Sequence, residues 1–491
     1  MRSNYIDFRT PQFRLLSNNQ LEELHLAALY ILEKTGVSIE CQEAIDLLAE
    51  AGANVSNPKR VRIPSHLVEQ ALRTVPKSIT LYTREGEPAI ILNGMTGSHF
   101  GAFTDSPEYL DPYTKQRRAC YIKDVADTAR LVDALPNIEW VISPGSNTTL
   151  PGVVAGKVGF LQAVLNSSKP VVGAVCNVSD LREVLKICTM IAGGEKELRD
   201  KPFYMGSSEP VSPLVQGKDA IERSLLCAEK GIPNKVFSIP IAGATSPATF
   251  PGTLAIGIAE WLSQLVIVQL KKPGAPLIFG SIPTIMDMKI AMMSYGAPEL
   301  SFLVAALTEI AHYYKLPMYG TAGVIDTDVI GVQTGVEITY QILLTALSGA
   351  DLVHDVGLSY HGKMVSPELI VLADEVIDMV KVAMGGLEIN DETLPLDLIE
   401  RVGPGGDYLS ESHTLKHFRK FWVPTIFDRS FVRGEGTKNC EELLNEKTLE
   451  ILKTHKPKPL PEDLVKELKK VEAGWFKEAG LDYIYPTREP H

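Results

Sequence analysis

From His99 to Met384, short apolar runs alternate with amphipathic stretches eight times over. The runs are His99–Phe103, Ile138–Ile142, Pro170–Val175, Phe203–Gly206, Val236–Pro240, Pro276–Gly280, Pro317–Gly320 and Asp351–Asp355. Each is too short for a helix, and most are rich in Val, Ile, Phe or Tyr, as strands buried on both faces are. A Gly-, Ser- or Pro-rich break follows each run. The periodicity then predicts helices near Lys123–Leu135, Ala155–Asn166, Asp180–Ala192, Gly217–Lys230, Thr253–Lys271, Glu299–Tyr314, Gln333–Ser348 and Pro367–Met384. Eight strand–helix units, roughly 30–40 residues apart, predict an α/β chain folded as a (β/α)8 TIM barrel.

The flanks read differently. Ser17-Asn-Asn-Gln20 has the form of a capping box, opening a helix that carries Leu21, Leu24, Ala28, Ile31 and Leu32 and stops at Gly36. Helices follow at Cys41–Ala51 and after Pro64, and Ile79–Thr83 with Ala89–Leu92 alternate around Glu85-Gly-Glu as a hairpin. Residues 1–97 are therefore expected to be a helical cap with a small β-hairpin, 98–385 the barrel, and 386–491 a C-terminal extension. In the extension, Lys456-Pro-Lys-Pro-Leu-Pro461 is a stiff spacer between helices Cys440–Lys453 and Glu462–Ala473. Such a tail packs on its own subunit or a neighbour's, so a homo-oligomer is expected.

Composition narrows the function. The chain has 491 residues, about 200 more than a minimal barrel, and a net charge of −12 with no basic stripe. Nucleic acid and anionic membrane surfaces are poor partners for such a chain. Six scattered cysteines without a C-x-x-C pair point to a reducing compartment. Met1–Thr10 is polar, without a signal peptide, and the apolar stretch Leu254–Leu270 is interrupted by Glu260, Ser263, Gln264 and Gln269. A cytoplasmic enzyme is expected.

In a barrel of this kind the chemistry sits just beyond the C-terminal ends of the strands. Those positions carry Phe103, Thr104 and Asp105; Ser143, Ser146 and Asn147; Cys176 and Asn177; Ser207, Ser208 and Glu209; Thr245 and Ser246; Ser281 and Thr284; Thr321; and His354, Asp355, Tyr360 and His361. Hydroxyls and amides dominate. The sequence holds no G-x-S-x-G elbow, H-E-x-x-H or Walker loop, and no lysine falls inside an expected strand to form a Schiff base. The last two loops lack a phosphate cradle. His354, His361 and Glu209 are readable as metal ligands, or as polar lining of a pocket in which Asp355 sets the His354 tautomer. Glu209 either caps the next helix or faces a cationic substrate. Aromatic residues near the strand ends are barrel core or a cage for a quaternary ammonium. The methionines 286, 288, 292 and 293 give the sixth loop an adaptable apolar rim.

The run Pro240-Ile-Ala-Gly-Ala-Thr-Ser-Pro-Ala-Thr-Phe-Pro-Gly-Thr-Leu-Ala255 resembles the signature of the trimethylamine methyltransferase superfamily. Further matches are Pro273-Gly-Ala-Pro276, Asp326, Gln333-Thr-Gly-Val-Glu337, Asp351-Leu-Val-His-Asp-Val-Gly357, the His413-Thr-x-x-His-Phe418 run and Asp428-Arg429. The resemblance implies an enzyme that moves a methyl group from a methylated amine to the cobalt of a separate corrinoid (cobalamin) protein. The founding branch carries pyrrolysine after the seventh strand, where this chain has an ordinary Val336. The resemblance is therefore to the non-pyrrolysine branch, which includes glycine betaine:corrinoid methyltransferases and relatives acting on proline betaine or carnitine.

This reading assigns Phe103, Tyr204, Tyr319 and Tyr360 to a cation cage and Glu209 to an electrostatic partner of the substrate. His354 and His361, helped by Asn147 and Thr245, would hold a carboxylate, with Asp355 orienting His354. The expected reaction demethylates a quaternary amine, glycine betaine foremost, with the corrinoid carried by a partner protein and no metal held by this chain. The rivals are a metal-dependent barrel lyase or hydrolase, and a non-catalytic betaine-binding protein.

Overall fold

The structure is a computed structural model that describes residues 11–94, 97–173, 175–429 and 438–486. The expected polar start, Met1–Thr10, lies outside the described residues. Eight parallel strands close into a barrel: β1 His99–Phe103, β2 Ile138–Ser143, β3 Val171–Gly173, β4 Tyr204–Ser208, β5 Asn234–Val236, β6 Leu277–Gly280, β7 Met318–Thr321 and β8 Leu352–Val356. They neighbour one another in chain order, and β8 closes on β1. The barrel helices are α1 Ile122–Ala134, α2 Gly152–Asn166, α3 Val178–Ala192, α4 Lys218–Lys230, α5 Phe250–Lys271, α6 Pro298–Tyr313, α7 Val332–Ser348 and α8 Pro367–Met384.

The hydrophobic pattern places seven strands within two residues at each end. The fifth is the exception. Expected at Val236–Pro240, it runs from Asn234 to Val236, because pairing with Gly206–Ser208 on one side and Leu277–Ile278 on the other sets its register. The residues beyond it, Ile241–Ala242, join a separate small sheet with Thr284–Asp287 and Met292–Met293. The methionine-rich rim is thus a short hairpin, with Met288 and Ile290 exposed at its tip.

The N-terminal end of the barrel is plugged. Ile79, Leu81, Ile90 and Leu92 of the hairpin Ile79–Tyr82/Pro88–Leu92 share one buried cluster with Trp140, Ile142, Val172, Met205, Ile278, Tyr319 and Leu352. The hairpin is pinned where Asn93 and Gly94 donate backbone N–H bonds of 3.0 and 2.6 Å to Asp351, just before β8. Inside, the Trp140 indole lies against Gly101 of β1, where a Cβ would fall 2.2 Å from the ring, and donates to the His99 carbonyl at 2.9 Å. The opposite, C-terminal end carries the loops that follow the strands, where a barrel of this kind places its chemistry.

Helix α5 is long and apolar enough to cross a membrane, yet 89% of its apolar window is buried in the protein. Its polar residues bond inside the protein: Glu260 accepts from Ser212 and Leu214, and Ser263 and Gln264 bond to Gln216 and Ser224. The capping box at Ser17 forms as expected on the helix Asn18–Tyr30. The tail helices Cys440–Thr454 and Glu462–Glu478 pack on α1 and α8 and on α2 and α3 respectively.

Candidate active site

Side chains alternate across a strand, so Lys235 of β5 and Phe237 just beyond it share the inward face while Asn234 and Val236 turn outward. Lys235 is level with Ser207 of β4 and Ile278 of β6, and Phe237 stands one layer nearer the C-terminal end of the barrel. From β7, Tyr319 and Thr321 point inward, Thr321 being level with His354 of β8. A bulge between Val353 and Val356 interrupts β8 against β1, and Asp355 takes φ +76 within it. The bulge turns two consecutive polar side chains into the interior, a common use of such irregularities.

These residues meet in one cluster. The His354 imidazole stacks on the Tyr319 ring with centroids 4.2 Å apart and planes inclined by 13°. The Lys235 ammonium lies 3.8 Å from the Phe237 centroid and 4.3 Å from that of Tyr319. Phe237 is 5.4 Å from Tyr319 and 5.6 Å from His354, and Phe103 closes the other side at 6.3 Å from His354. His354 Nδ1 is 2.6 Å from Asp355 Oδ1, and the Thr321 hydroxyl donates to Asp355 Oδ2 at 2.5 Å. Glu209 accepts from Arg223 Nη2 at 3.0 Å and from the Ser207 hydroxyl, and lies 3.7 Å from Lys235 Nζ.

Burial and neighbouring charges shift Lys235, His354 and Glu209. Burial pulls Lys235 down to about 8, against the opposing pull of Glu209 and Asp355. Burial also lowers His354, more than neighbouring Asp355 raises it, so the imidazole is neutral near pH 7. Asp355 is the acceptor for Nδ1–H, leaving the lone pair on Nε2, which is buried without a partner. Burial raises Glu209, but Lys235 and Arg223 more than offset it and hold the carboxyl below its usual range.

The structure therefore brings together Phe103, Tyr319, His354, Asp355 and Glu209, and separates the other expected residues. Tyr204 is the first residue of β4 and faces outward. Its ring meets Phe160 edge-on at 5.5 Å and its hydroxyl donates to the Gly173 carbonyl, so it packs between barrel and helices and has no face for a substrate. Tyr360 already has the Arg117 guanidinium 4.0 Å from its ring centroid. His361 Nδ1 is 3.0 Å from Asp326 Oδ1. Both belong to the turn between Leu358–Ser359 and Met364–Val365, in a four-stranded sheet with Glu108–Leu110 and Arg117–Ala119. Thr245 accepts from the Ile241 N–H and holds its own turn. Val336, set against pyrrolysine by the sequence resemblance, is 65% exposed on α7.

Asn147 also serves the framework. Its side chain bonds Cys120 and Thr149, while its N–H and those of Gly145 and Ser146 cradle Asp105. Burial raises the Asp105 carboxyl to about 7, against those three N–H bonds, while the unfolded chain titrates near 3.8. The folded state therefore binds the extra proton between these values. Stability from this group is full below about 4, falls as pH rises towards 7 and stays lost above it. Relative to the wild type, Asp105→Asn should be more stable at pH 8 than at pH 5, by a few kcal/mol at most. Denaturant unfolding at the two pH values checks this, and a pH-independent difference would refute it.

Three residues of the cluster escape a reading by strand ends: Lys235, Phe237 and Arg223. The expectation that no strand carries a lysine is corrected by Lys235, missed because β5 begins two residues earlier than its hydrophobic run. The signal was present in Asn234-Lys-Val-Phe237, where a lysine alternates with an aromatic on one face. Arg223 lies in line with Ala220 and Cys227 on the buried face of α4, and is held by Glu209 and the Val175 carbonyl.

For a metal centre, His354, His361 and Glu209 would have to converge, but each is engaged with a different partner. Among the described residues no group of three or more His, Cys, Asp or Glu is placed to hold a metal ion. The cluster instead gathers ring faces around one buried ammonium, beside a neutral imidazole.

Comparison with known proteins agrees with this architecture. The family model described as trimethylamine methyltransferase (MTTB) matches residues 1–473. The trimethylamine methyltransferase MttB of Desulfitobacterium hafniense (strain DSM 10664 / DCB-2) is 34% identical over 459 residues, covering 93% of this chain and 92% of that protein. The MttB of Methanosarcina thermophila is 30% identical over 93% of this chain and 96% of its own length. A glycine betaine methyltransferase of D. hafniense (strain Y51) is 28% identical over 86% of this chain and 88% of that protein. Among solved structures, the Methanosarcina barkeri monomethylamine methyltransferase MtmB superposes with a TM-score of 0.52 at 13% identity, over 98% of this chain and 95% of that one. That last likeness concerns the fold.

Proposed function

The chain belongs to the trimethylamine methyltransferase family, and on that premise we propose that it demethylates a carboxylated quaternary amine, glycine betaine foremost, and passes the methyl to a corrinoid protein. Proline betaine and carnitine belong to the same substrate class. The observation that carries the reading is the pair of ring faces already holding a cation, with Lys235 Nζ 3.8 and 4.3 Å from the Phe237 and Tyr319 centroids. Walls that stabilise one ammonium through their quadrupoles suit another. The relative named for glycine betaine supports the same substrate class, and the sequence contains no pyrrolysine.

A quaternary nitrogen leaves with the C–N electron pair as a neutral tertiary amine, so no proton has to move. The corrinoid, a second substrate on its own protein, supplies the cobalt(I) nucleophile. This chain's work is then to bind and orient. Phe103, Phe237 and the Tyr319–His354 stack form the pocket wall, and Asp355 with Thr321 locks the imidazole in place. The plugged floor excludes water from that side. Met288 and Ile290 at the rim give a partner protein an apolar contact. Exposed Leu387, Leu396, Leu409, Leu415, Phe421 and Val423 in the C-terminal extension support a homo-oligomer.

The test is spectroscopic. Mixed anaerobically with cobalt(I) cobalamin and single amines, the protein should convert the cobalt(I) spectrum to that of methylcobalamin with glycine betaine. It should not do so with trimethylamine. Conversion with trimethylamine alone would replace the carboxylated substrate by a simple methylamine. No conversion with any amine, from free cobalamin or a corrinoid protein, would reject the reading in favour of a betaine-binding protein.

A further inference from the structure

The depth order of the pocket says which way round a substrate must lie. The hairpin closes the N-terminal end of the barrel, so on the function proposed above a protein-borne acceptor comes from the C-terminal end. The methyl-bearing nitrogen must therefore be outermost, with the rest of the molecule pointing at the floor. In a betaine the rest of the molecule ends in a carboxylate.

At the floor, most donors are already committed. Thr321 donates to Asp355, Ser207 to Glu209, and Arg223 to Glu209 and the Val175 carbonyl. His354 presents a lone pair at Nε2, which repels a carboxylate unless the ring takes up a proton. Lys235 differs. It is 3% exposed, and its nearest carboxylate oxygen, on Glu209, is 3.7 Å away, longer than a hydrogen bond. Its other neighbours are two ring faces, which satisfy charge but accept no conventional N–H bond. A buried ammonium of this kind gains most from a new anion.

Building on the function proposed above, we infer that Lys235 is the carboxylate anchor of the pocket and selects zwitterionic quaternary amines over methylamines that lack an acid group. The ammonium turns from the ring faces to the incoming carboxylate, and frees those faces for the trimethylammonium end. An amine without a carboxylate would set a second cation against Lys235 with nothing to neutralise it. This assignment moves carboxylate recognition from His354 and His361 to the fifth strand.

Calorimetric binding tests it without methyl transfer, using the full chain, Lys235→Met and Lys235→Arg. Glycine betaine should bind Lys235→Met about 10- to 150-fold more weakly than the wild type, the loss of one charge-assisted hydrogen bond. Tetramethylammonium should bind Lys235→Met at least as well as the wild type, and Lys235→Arg should restore much of the betaine affinity. The wild-type affinity should fall as pH rises past about 8. The groups facing Lys235 are Glu209, Arg223, Asp355, His354 and Tyr319; Glu209, lowered by Lys235 and Arg223, stays charged there, and His354 and Tyr319, shifted by burial, stay neutral. Lys235→Met should lack that fall. Equal betaine binding by wild type and Lys235→Met, equal weakening for tetramethylammonium, or no betaine binding by the wild type would each overturn the assignment. Binding that follows the expected pattern without methyl transfer would uphold Lys235 and reject the enzyme reading. Transfer from betaine with unchanged Lys235→Met binding would do the reverse.

Discussion

Gly357→Ala should destabilise the protein by about 2–5 kcal/mol and disable the pocket with it. Gly357 follows the bulge that carries His354 and Asp355, and takes φ +91. An L-residue in that region is strained, and a Cβ there would fall 2.2 Å from Ile370 Cγ1 and 2.9 Å from its Cδ1 on α8. Ile370 is fully buried, so neither side can yield cheaply. The backbone is also fixed by bonds from Gly357 N–H to Gly323 and from Ser366 N–H to the Gly357 carbonyl. Denaturant unfolding measures the loss. A double-mutant cycle separates its causes: Ile370→Ala should be much less harmful in the Gly357→Ala background than alone, because it removes the clash while the backbone strain remains. Additive effects would mean that the clash contributes nothing.

Phe237→Ala should lower kcat/KM for glycine betaine by about 30- to 150-fold, equivalent to ~2–3 kcal/mol. Its half-buried ring touches Lys235, Tyr319 and His354, so truncation removes a wall and loosens three neighbours. Phe237→Leu keeps most of the volume but loses the ring quadrupole. It should cost about 2- to 30-fold for glycine betaine, and little for binding of 3,3-dimethylbutyrate, the uncharged-carbon isostere of the trimethylammonium group. If Phe237→Leu bound both compounds as the wild type does, the ring would be a filler rather than a cation contact.

The residues missed and misplaced by a linear reading share one cause. Tyr204 and Tyr319 both stand at barrel strands among apolar neighbours, and strand-end position treats them alike. They differ in parity: Tyr319 points inward and Tyr204 outward, and neighbouring strands decide which. Asn147, Tyr360 and His361 sit in the right loops, but each has a partner supplied by a segment the loop meets only in the fold, and Thr245 is taken up within its own turn. Phe103, His354, Asp355 and Glu209 were recoverable because a strand end near the barrel axis leaves a side chain few other places to go.

The sequence by itself determined the eight units, their order and the C-terminal end on which chemistry gathers. Those follow from local hydrophobic period, turn residues and the requirement that parallel strands be covered on both faces. The tertiary structure alone decided that Lys235 lies beneath Phe237, that Tyr319 and His354 stack, and that Arg223 reaches Glu209. Such meetings depend on register, a bulge and the depth of each side chain between strands far apart in the chain, and no local pattern carries that information.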